Sequence, residues 1–241
     1  MNTDTREALL NGFASRCFRD VADGDYVAAR MAYRAELLLQ AYWSSQQALE
    51  KYLKGILLFR RIPKKKPTHS LTALLHDIEV KFPLSLWKET RDFIQFIENW
   101  DVDRYFLYPY GGAGLELVQL DRAVWDIRRY CIAVDSRLSP NGTPVADLDL
   151  KHIERATNDP PQKFRFLSKG LLELVLGDAR NAARPALIWK NLYFGRSKRR
   201  SIKLKQTWSS FNSLLAGHPE IIDELKQYVY LPGGVDILKQ P

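Results

Sequence analysis

A histidine behind a run of cations is the first feature of this sequence that could do chemistry. Five cations lie within seven residues shortly before His69: Arg60, Arg61, Lys64, Lys65 and Lys66. A predicted helix begins just after His69, and the first N–H groups of a helix suit an anion. This pattern predicts a phosphate-binding site with His69 as a donor or acid/base group. The alternative is a capping histidine beside a solvated loop.

A polar pair upstream extends this hypothesis. Glu50 and Lys54 are four residues apart in a segment with helical periodicity, and Gln46 or Gln47 continues the same polar ridge. Lys54 could contact a phosphate at the edge of a groove, with Glu50 beside it. The alternative is an ordinary ion pair that adds about 0.2–0.5 kcal/mol to the stability of the helix.

A third candidate lies in a loop rich in tyrosine and glycine. Arg104 can make a forked contact to a phosphate, and Tyr105 can stack on a base. In the alternative interpretation, Asp101 or Asp103 pairs with Arg104 and Tyr105 packs inside. If Arg104 converges with Lys54 and His69, they form one cationic pocket.

The densest basic tract lies near the C-terminus. Four aromatic residues flank it: Trp189, Tyr193, Phe194 and Trp208. Such a tract could neutralise phosphates while the aromatic rings stack on unpaired bases. The alternative is a solvated turn next to aromatic residues that belong to the core. Six of the ten residues in 196–205 are basic and none is acidic: Arg196, Lys198, Arg199, Arg200, Lys203 and Lys205.

Composition sets limits on the class of protein. The 241 residues are 46% apolar and 27% charged, which excludes wholesale disorder. The net charge is +8, of which residues 139–241 contribute +6. This excess favours a polyanionic partner, and RNA or a nucleotide is preferred to a membrane because no amphipathic helix accompanies the charges.

Other classes of site receive no support from the sequence. Cys17 and Cys131 are too few for a disulfide framework, and four scattered histidines do not predict a zinc site. Motifs for nucleotide-cofactor binding are missing, so we expect neither a metal nor a cofactor. The N-terminus does not resemble a secretory signal, and we expect a cytoplasmic protein.

The periodicity of apolar residues predicts an all-α fold with an up-and-down bundle over residues 1–138. A turn is predicted at Asp23–Asp25, and a long helix from Tyr26 to Arg61 could break near Ala35–Gln40. Thr68 or Ser70 can cap a helix that ends near Lys81. A further helix is predicted from Pro83, where proline suits the first turn.

The remainder of the chain predicts a smaller basic domain. Residues 139–148 contain a Pro- and Gly-rich linker, and residues 149–241 are predicted to be mostly helical. Alternation in Ser201–Trp208 indicates a short strand, which could pair with Asn191–Phe194 as a hairpin.

Several segments resemble the HEPN domain family over residues 4–138. They are QQALEKYLK at 46–54, THSL at 68–71, GDYVAAR at 24–30 and DVDRYFLYP at 101–109. The resemblance implies a helical bundle that is usually dimeric and binds nucleotides or RNA. Many family members are metal-independent ribonucleases of toxin–antitoxin and antiviral systems.

The ribonuclease signature of that family, an Arg and a His separated by four to six residues, is not matched, because seven residues separate Arg61 from His69. The preferred hypothesis is therefore an RNA- or nucleotide-binding protein of a prokaryotic defence or toxin–antitoxin system, acting as a homodimer. One alternative is an endoribonuclease toxin in which His69 and Arg104 act as acid/base and phosphate stabiliser. Another is a module that partners a nucleotidyltransferase, an antitoxin or another effector. Whether the protein is an enzyme stays open.

Overall fold

The structure is a computed structural model. It describes residues 3–64, 66–101, 110–112, 116–133, 170–195, 201–202, 208–210, 217–229 and 231. Within these ranges the chain is mostly helical, as the sequence predicts. The predicted linker at 139–148 lies outside the described residues, so the domain boundary stays a prediction.

The N-terminal helices form an antiparallel pair that organises the bundle. α1 (Thr3–Phe13) leads through a π-helical turn (Ala14–Arg19) into α2 (Asp20–Arg34), and α3 (Leu38–Phe59) returns along α2. The break between α2 and α3 lies where the sequence allowed one. Its connecting residue Glu36 has a positive φ of 62°.

The turn predicted at Asp23–Asp25 is wrong, because α2 runs through these residues. Asp23 is fully buried and accepts hydrogen bonds from Tyr52 and Arg128, so its polar group is satisfied inside the helical bundle.

Three further helices complete the bundle: α4 (Leu71–Glu79), α5 (Lys88–Asp101) and α6 (Glu116–Arg128). The helix predicted from Pro83 begins only at Lys88. Backbone groups of the preceding segment bind the end of α6 instead, because Ser85 N donates to Tyr130 Oη (3.0 Å) and Trp87 N donates to Asp126 Oδ2 (2.9 Å). These contacts hold the segment in a non-helical conformation.

One hydrophobic core joins the bundle to part of the C-terminal region. α7 (Leu171–Gly177) and α8 (Arg184–Ile188) pack on α2. Burial of apolar surface at about 25 cal/mol per Å² is the main force that holds them there. The residues that these helices and the segment after α8 add to the core are Leu172, Val175, Leu187, Tyr193 and Phe194.

A two-stranded sheet replaces the predicted hairpin. β1 (Tyr110–Gly112) pairs antiparallel with β2 (Trp208–Ser210), and Tyr110 is opposite Ser210. The predicted partner, residues 191–194, forms no strand, because Asn191 Oδ1 accepts from the backbone N–H groups of Tyr193 and Phe194 and bends the chain.

The last described elements of the chain form a short helical segment. A 3₁₀ turn (Pro219–Ile221) leads into α9 (Ile222–Leu225). No helix within the described ranges is both long and apolar enough to cross a bilayer.

Candidate functional site

Three of the predicted site residues meet at the surface of the bundle. Glu50 and Lys54 lie on successive turns of α3, and His69 lies in the connection before α4. Glu50 Oε1 is 2.6 Å from Lys54 Nζ and 3.0 Å from His69 Nδ1. The Glu50 side chain is 7% exposed, whereas that of His69 is 78% exposed. A buried carboxylate therefore anchors an imidazole that is open to solvent.

The local sequence fixes His69 at this point. Ser70 is the N-cap of α4, and its hydroxyl accepts from Ala73 N at 3.1 Å. Ser70 N in turn donates to Thr68 Oγ1 at 3.2 Å. Both residues that flank His69 are thus held by hydrogen bonds. The cap predicted at Thr68 or Ser70 is confirmed at Ser70.

The contact with Glu50 determines what the imidazole can do. An ionised carboxylate only accepts, so Nδ1 of His69 carries the proton in this contact. In the neutral ring Nε2 is then an acceptor, which suits a hydrogen bond from a ligand hydroxyl or a general-base role. Glu50 Oε2 is buried and makes no hydrogen bond within the described residues. Because this atom is shielded from solvent, the exposed imidazole is the part of the pair that a ligand can reach.

Two backbone N–H groups that were predicted to bind an anion at the N-terminus of α4 already donate to side chains of the protein itself. Thr72 N donates to Glu98 Oε2 at 2.8 Å, and Ala73 N donates to the Ser70 hydroxyl. These two amides are therefore not available to a phosphate. The interpretation of His69 as a neighbour of free helix N–H groups is wrong in this respect.

Most of the described cations of the basic loop already have partners. Arg61 forms an ion pair with Glu7 at 2.6 Å, and Lys64 pairs with Asp77. The Arg60 guanidinium lies 4.3 Å from the centroid of the Phe82 ring. Lys66 is exposed and has no ion pair with any described residue.

The other predicted site residues lie outside the described part of the chain and stay predictions. They are Lys65, Arg104, Tyr105 and the six cations Arg196, Lys198, Arg199, Arg200, Lys203 and Lys205. Of the aromatic residues before this tract, Tyr193 and Phe194 are buried, which agrees with the core alternative, and Trp189 is half-buried.

Sequence reasoning missed a buried ionic network between the bundle and the C-terminal helices. Arg128 is bidentate to Asp23, with Nε–Oδ1 at 2.6 Å and Nη2–Oδ2 at 2.8 Å, and binds Glu173 on its other side. Burial lowers the pKa of Arg128, but the carboxylates of Asp23 and Glu173 raise it well above its usual value. No local signal pointed to this network, because Asp23 lies in a stretch with the composition of a turn.

A second buried network lies beside it. Tyr26 Oη donates to Asp121 Oδ1 at 2.6 Å and accepts from Asn191 Nδ2 at 2.9 Å, and Arg30 also pairs with Asp121. Burial and then the Asp121 carboxylate raise the pKa of Tyr26 well above its ordinary value. Both networks hold the fold together, and neither includes Glu50 or His69. No group of three or more metal-binding side chains occurs in the ranges that the structure describes.

Comparison with known proteins adds one match. Residues 16–111 match a family model described as the HEPN domain. This stretch includes α2 to α5 and all three residues of the Glu50–Lys54–His69 cluster. No curated protein and no solved structure matches the chain.

Proposed function

Since residues 16–111 of this chain are a HEPN domain, we propose that the protein binds RNA or a nucleotide through the Glu50–Lys54–His69 cluster. HEPN domains have functions related to nucleotides or RNA, often as ribonucleases or toxins. The cluster would be the point at which the RNA or nucleotide contacts the protein. The observation that carries it is the 3.0 Å contact between exposed His69 and buried Glu50 inside the matched stretch.

The charge of the cluster suits a sugar or base edge beside a phosphate. Glu50 and Lys54 offset one another, so the cluster with neutral His69 has no net charge. The exposed imidazole of His69 can accept from a hydroxyl or amino donor at Nε2, and ribose and bases supply such donors. Exposed Lys66 and the 196–205 tract would supply the positive charge for the phosphates.

A pair of histidine variants tests this function. His69→Ala should weaken binding of a labelled single-stranded RNA about tenfold, as expected for loss of one hydrogen bond in a polar site. His76→Ala is the control, because His76 is exposed on α4 without a side-chain partner among the described residues. Equal affinities of the two variants, measured by fluorescence anisotropy, would contradict the proposal.

A metal-independent endoribonuclease is the second candidate function. The Glu50–His69 contact favours it, because a carboxylate that holds Nδ1 leaves Nε2 as a general base. Nε2 would take the proton of a ribose 2′-hydroxyl, and the 2′-oxygen would attack the adjacent phosphorus to form a 2′,3′-cyclic phosphate. The bond from phosphorus to the 5′-oxygen would break, and the 5′-oxygen would leave as a hydroxyl after taking a proton from water. Arg104 would stabilise the phosphate in this candidate.

Cleavage of labelled RNA in EDTA separates the two candidates. If the enzyme candidate is correct, the protein cleaves RNA in EDTA, His69→Ala is inactive, and Glu50→Gln is slower because the imidazole loses its charged anchor. Salt-dependent binding without cleavage would leave the binding function alone.

We also infer that the protein acts as a homodimer in a prokaryotic defence or toxin–antitoxin system. The family match supports this setting. Growth arrest on induced expression, relieved by His69→Ala, is the expected result for a toxin. A mass in solution equal to one chain would contradict the dimer.

A further inference from the structure

Two cations lie against one tryptophan where the end of α2 meets the residues that follow α8. The Arg34 guanidinium is 5.9 Å from the centroid of the Trp189 ring, and Lys190 Nζ is 5.0 Å from the same centroid. Arg34 is exposed, and Trp189 and Lys190 are half-buried. Both distances are within the range of cation–π attraction. The indole therefore holds two positive charges together at the surface.

Buried contacts hold this arrangement in place. Arg30, one turn before Arg34 on α2, donates to the backbone oxygens of Ala186 and Trp189. Lys190 has a positive φ of 49°, a conformation uncommon for a residue with a side chain. The end of α8 is thus fixed to α2, and the cations occupy defined positions.

The charge of these two cations is not balanced nearby. Within the described ranges, neither Arg34 nor Lys190 has a carboxylate at ion-pair distance, whereas Lys54, Arg61 and Lys64 each have one. The two cations therefore leave a local excess of positive charge, which favours an anionic ligand.

We propose that Arg34, Trp189 and Lys190 form a phosphate-contact surface for single-stranded RNA, separate from the Glu50–Lys54–His69 cluster. This inference rests on the proposed RNA-binding function and adds a second surface to it. Arginine makes forked contacts to phosphate, and lysine adds a point charge.

A charge-matched pair of full-length variants tests the surface. Arg34→Gln/Lys190→Gln removes the two cations. Arg6→Gln/Lys81→Gln removes two exposed cations elsewhere that have no ion pair with a described residue. Both double variants lower the net charge equally. Urea unfolding confirms that each remains folded.

We expect the first double variant to bind a single-stranded RNA oligonucleotide about tenfold more weakly than the wild type at constant salt. Loss of two phosphate contacts also reduces the slope of log affinity against log salt by about 1.4. The Arg6→Gln/Lys81→Gln variant should keep an RNA affinity and a salt slope closer to those of the wild type. Inorganic phosphate or a mononucleotide that competes fully at low millimolar concentration would overturn the assignment to an RNA strand.

The outcomes separate this inference from the function on which it rests. If wild-type protein binds RNA and His69→Ala weakens it, but both double variants behave alike, only the surface at Trp189 is overturned. If wild-type protein does not bind RNA, the proposed function and the surface both fail.

Discussion

Asp23 and Arg128 are 105 residues apart in the sequence and form a bidentate ion pair in the interior of the bundle. Their side chains are 0% and 3% exposed. Arg128 also binds Glu173 at 2.7 Å, and Leu172 N donates to Asp23 Oδ2 at 3.2 Å. The pair thereby connects α2, which lies in the stretch that matches the HEPN model, with α6 and α7, which follow that stretch.

Removal of one charge from this pair should destabilise the protein strongly. Asp23→Asn leaves Arg128 buried with half of its counter-charge, and breaking a buried pair costs about 3–5 kcal/mol. We expect the free energy of unfolding in urea to fall by that amount. Asp92→Asn is the control, since the Lys88–Asp92 pair is exposed and its loss should leave the urea midpoint unchanged. Similar midpoints for the two variants would show that the buried pair contributes little.

Tyr52 gives the fold a dependence on alkaline pH. Burial raises the pKa of Tyr52 well above its usual value, and the Asp23 carboxylate, 2.6 Å away, raises it further. Because this pKa is higher in the folded protein, the stabilisation is complete below about pH 10 and is lost as the pH rises toward the folded pKa. Each such tyrosine lowers the free energy of unfolding by up to about 1.4 kcal/mol per pH unit in that range.

Tyr52→Phe separates the hydrogen bond from the titration. At pH 7 we expect a loss of about 1–3 kcal/mol, because a buried acceptor loses one donor. Above pH 10 the variant should lose stability less steeply than wild type. Urea unfolding at several pH values measures both quantities, and Tyr228→Phe, at an exposed position, should show neither effect. Parallel curves for wild type and Tyr52→Phe would refute the shifted pKa.

The helical fold could be predicted because local pattern determines it. The apolar face of α4 and the Ser70 cap follow from spacing and from the preference of serine for this position. The same reasoning placed Glu50 and Lys54 on one side of α3. The convergence of His69 with Lys54 was only a hypothesis, because no local pattern fixes how α3 packs against the segment before α4.

Long-range contacts explain what the sequence could not predict. Asp23–Gly24–Asp25 has the composition of a turn, yet Tyr52 and Arg128 satisfy Asp23 inside a helix. Pro83 could start a helix, but contacts of Ser85 and Trp87 with the end of α6 delay it. No local pattern encodes a partner that lies tens of residues away.

Gly170 should tolerate no side chain. A Cβ at this position would lie 2.9 Å from Arg128 Nη2 and 3.0 Å from both Arg19 Nε and Asp20 Oδ1. Gly170→Ala should therefore displace the Arg128 network and cost about 1–3 kcal/mol. Gly177→Ala has no neighbour within 4 Å and should be neutral or stabilise by up to about 1 kcal/mol. Urea unfolding of both variants checks this, and equal destabilisation would contradict it.

The two cysteines should differ in reactivity. Burial raises the pKa of the Cys131 thiol to about 12, and its Sγ lies 3.5 Å from the carbonyl of Tyr52. The thiolate is the nucleophile, so Cys131 should resist alkylation at pH 8, whereas exposed Cys17 should react. Mass spectrometry after iodoacetamide should show one adduct in the native protein and two after unfolding. Rapid double labelling of the native protein would contradict the burial of Cys131.

The Ser70 cap links the stability of α4 to the position of His69. Ser70→Ala removes the acceptor of Ala73 N and should lower the free energy of unfolding by about 1 kcal/mol. It also loosens the residue next to His69, so RNA affinity should fall as well. Ser70→Asn is the matched variant, because asparagine caps helices as well as serine does.

The pair of Ser70 variants distinguishes a capping role from a direct contact of Ser70 with RNA. If the cap positions His69, Ser70→Asn keeps both the stability and the RNA affinity near the wild-type values, whereas Ser70→Ala lowers both. Restored stability with affinity still low would instead indicate that the Ser70 hydroxyl itself contacts the ligand. Urea unfolding and RNA anisotropy on the same samples provide both measurements.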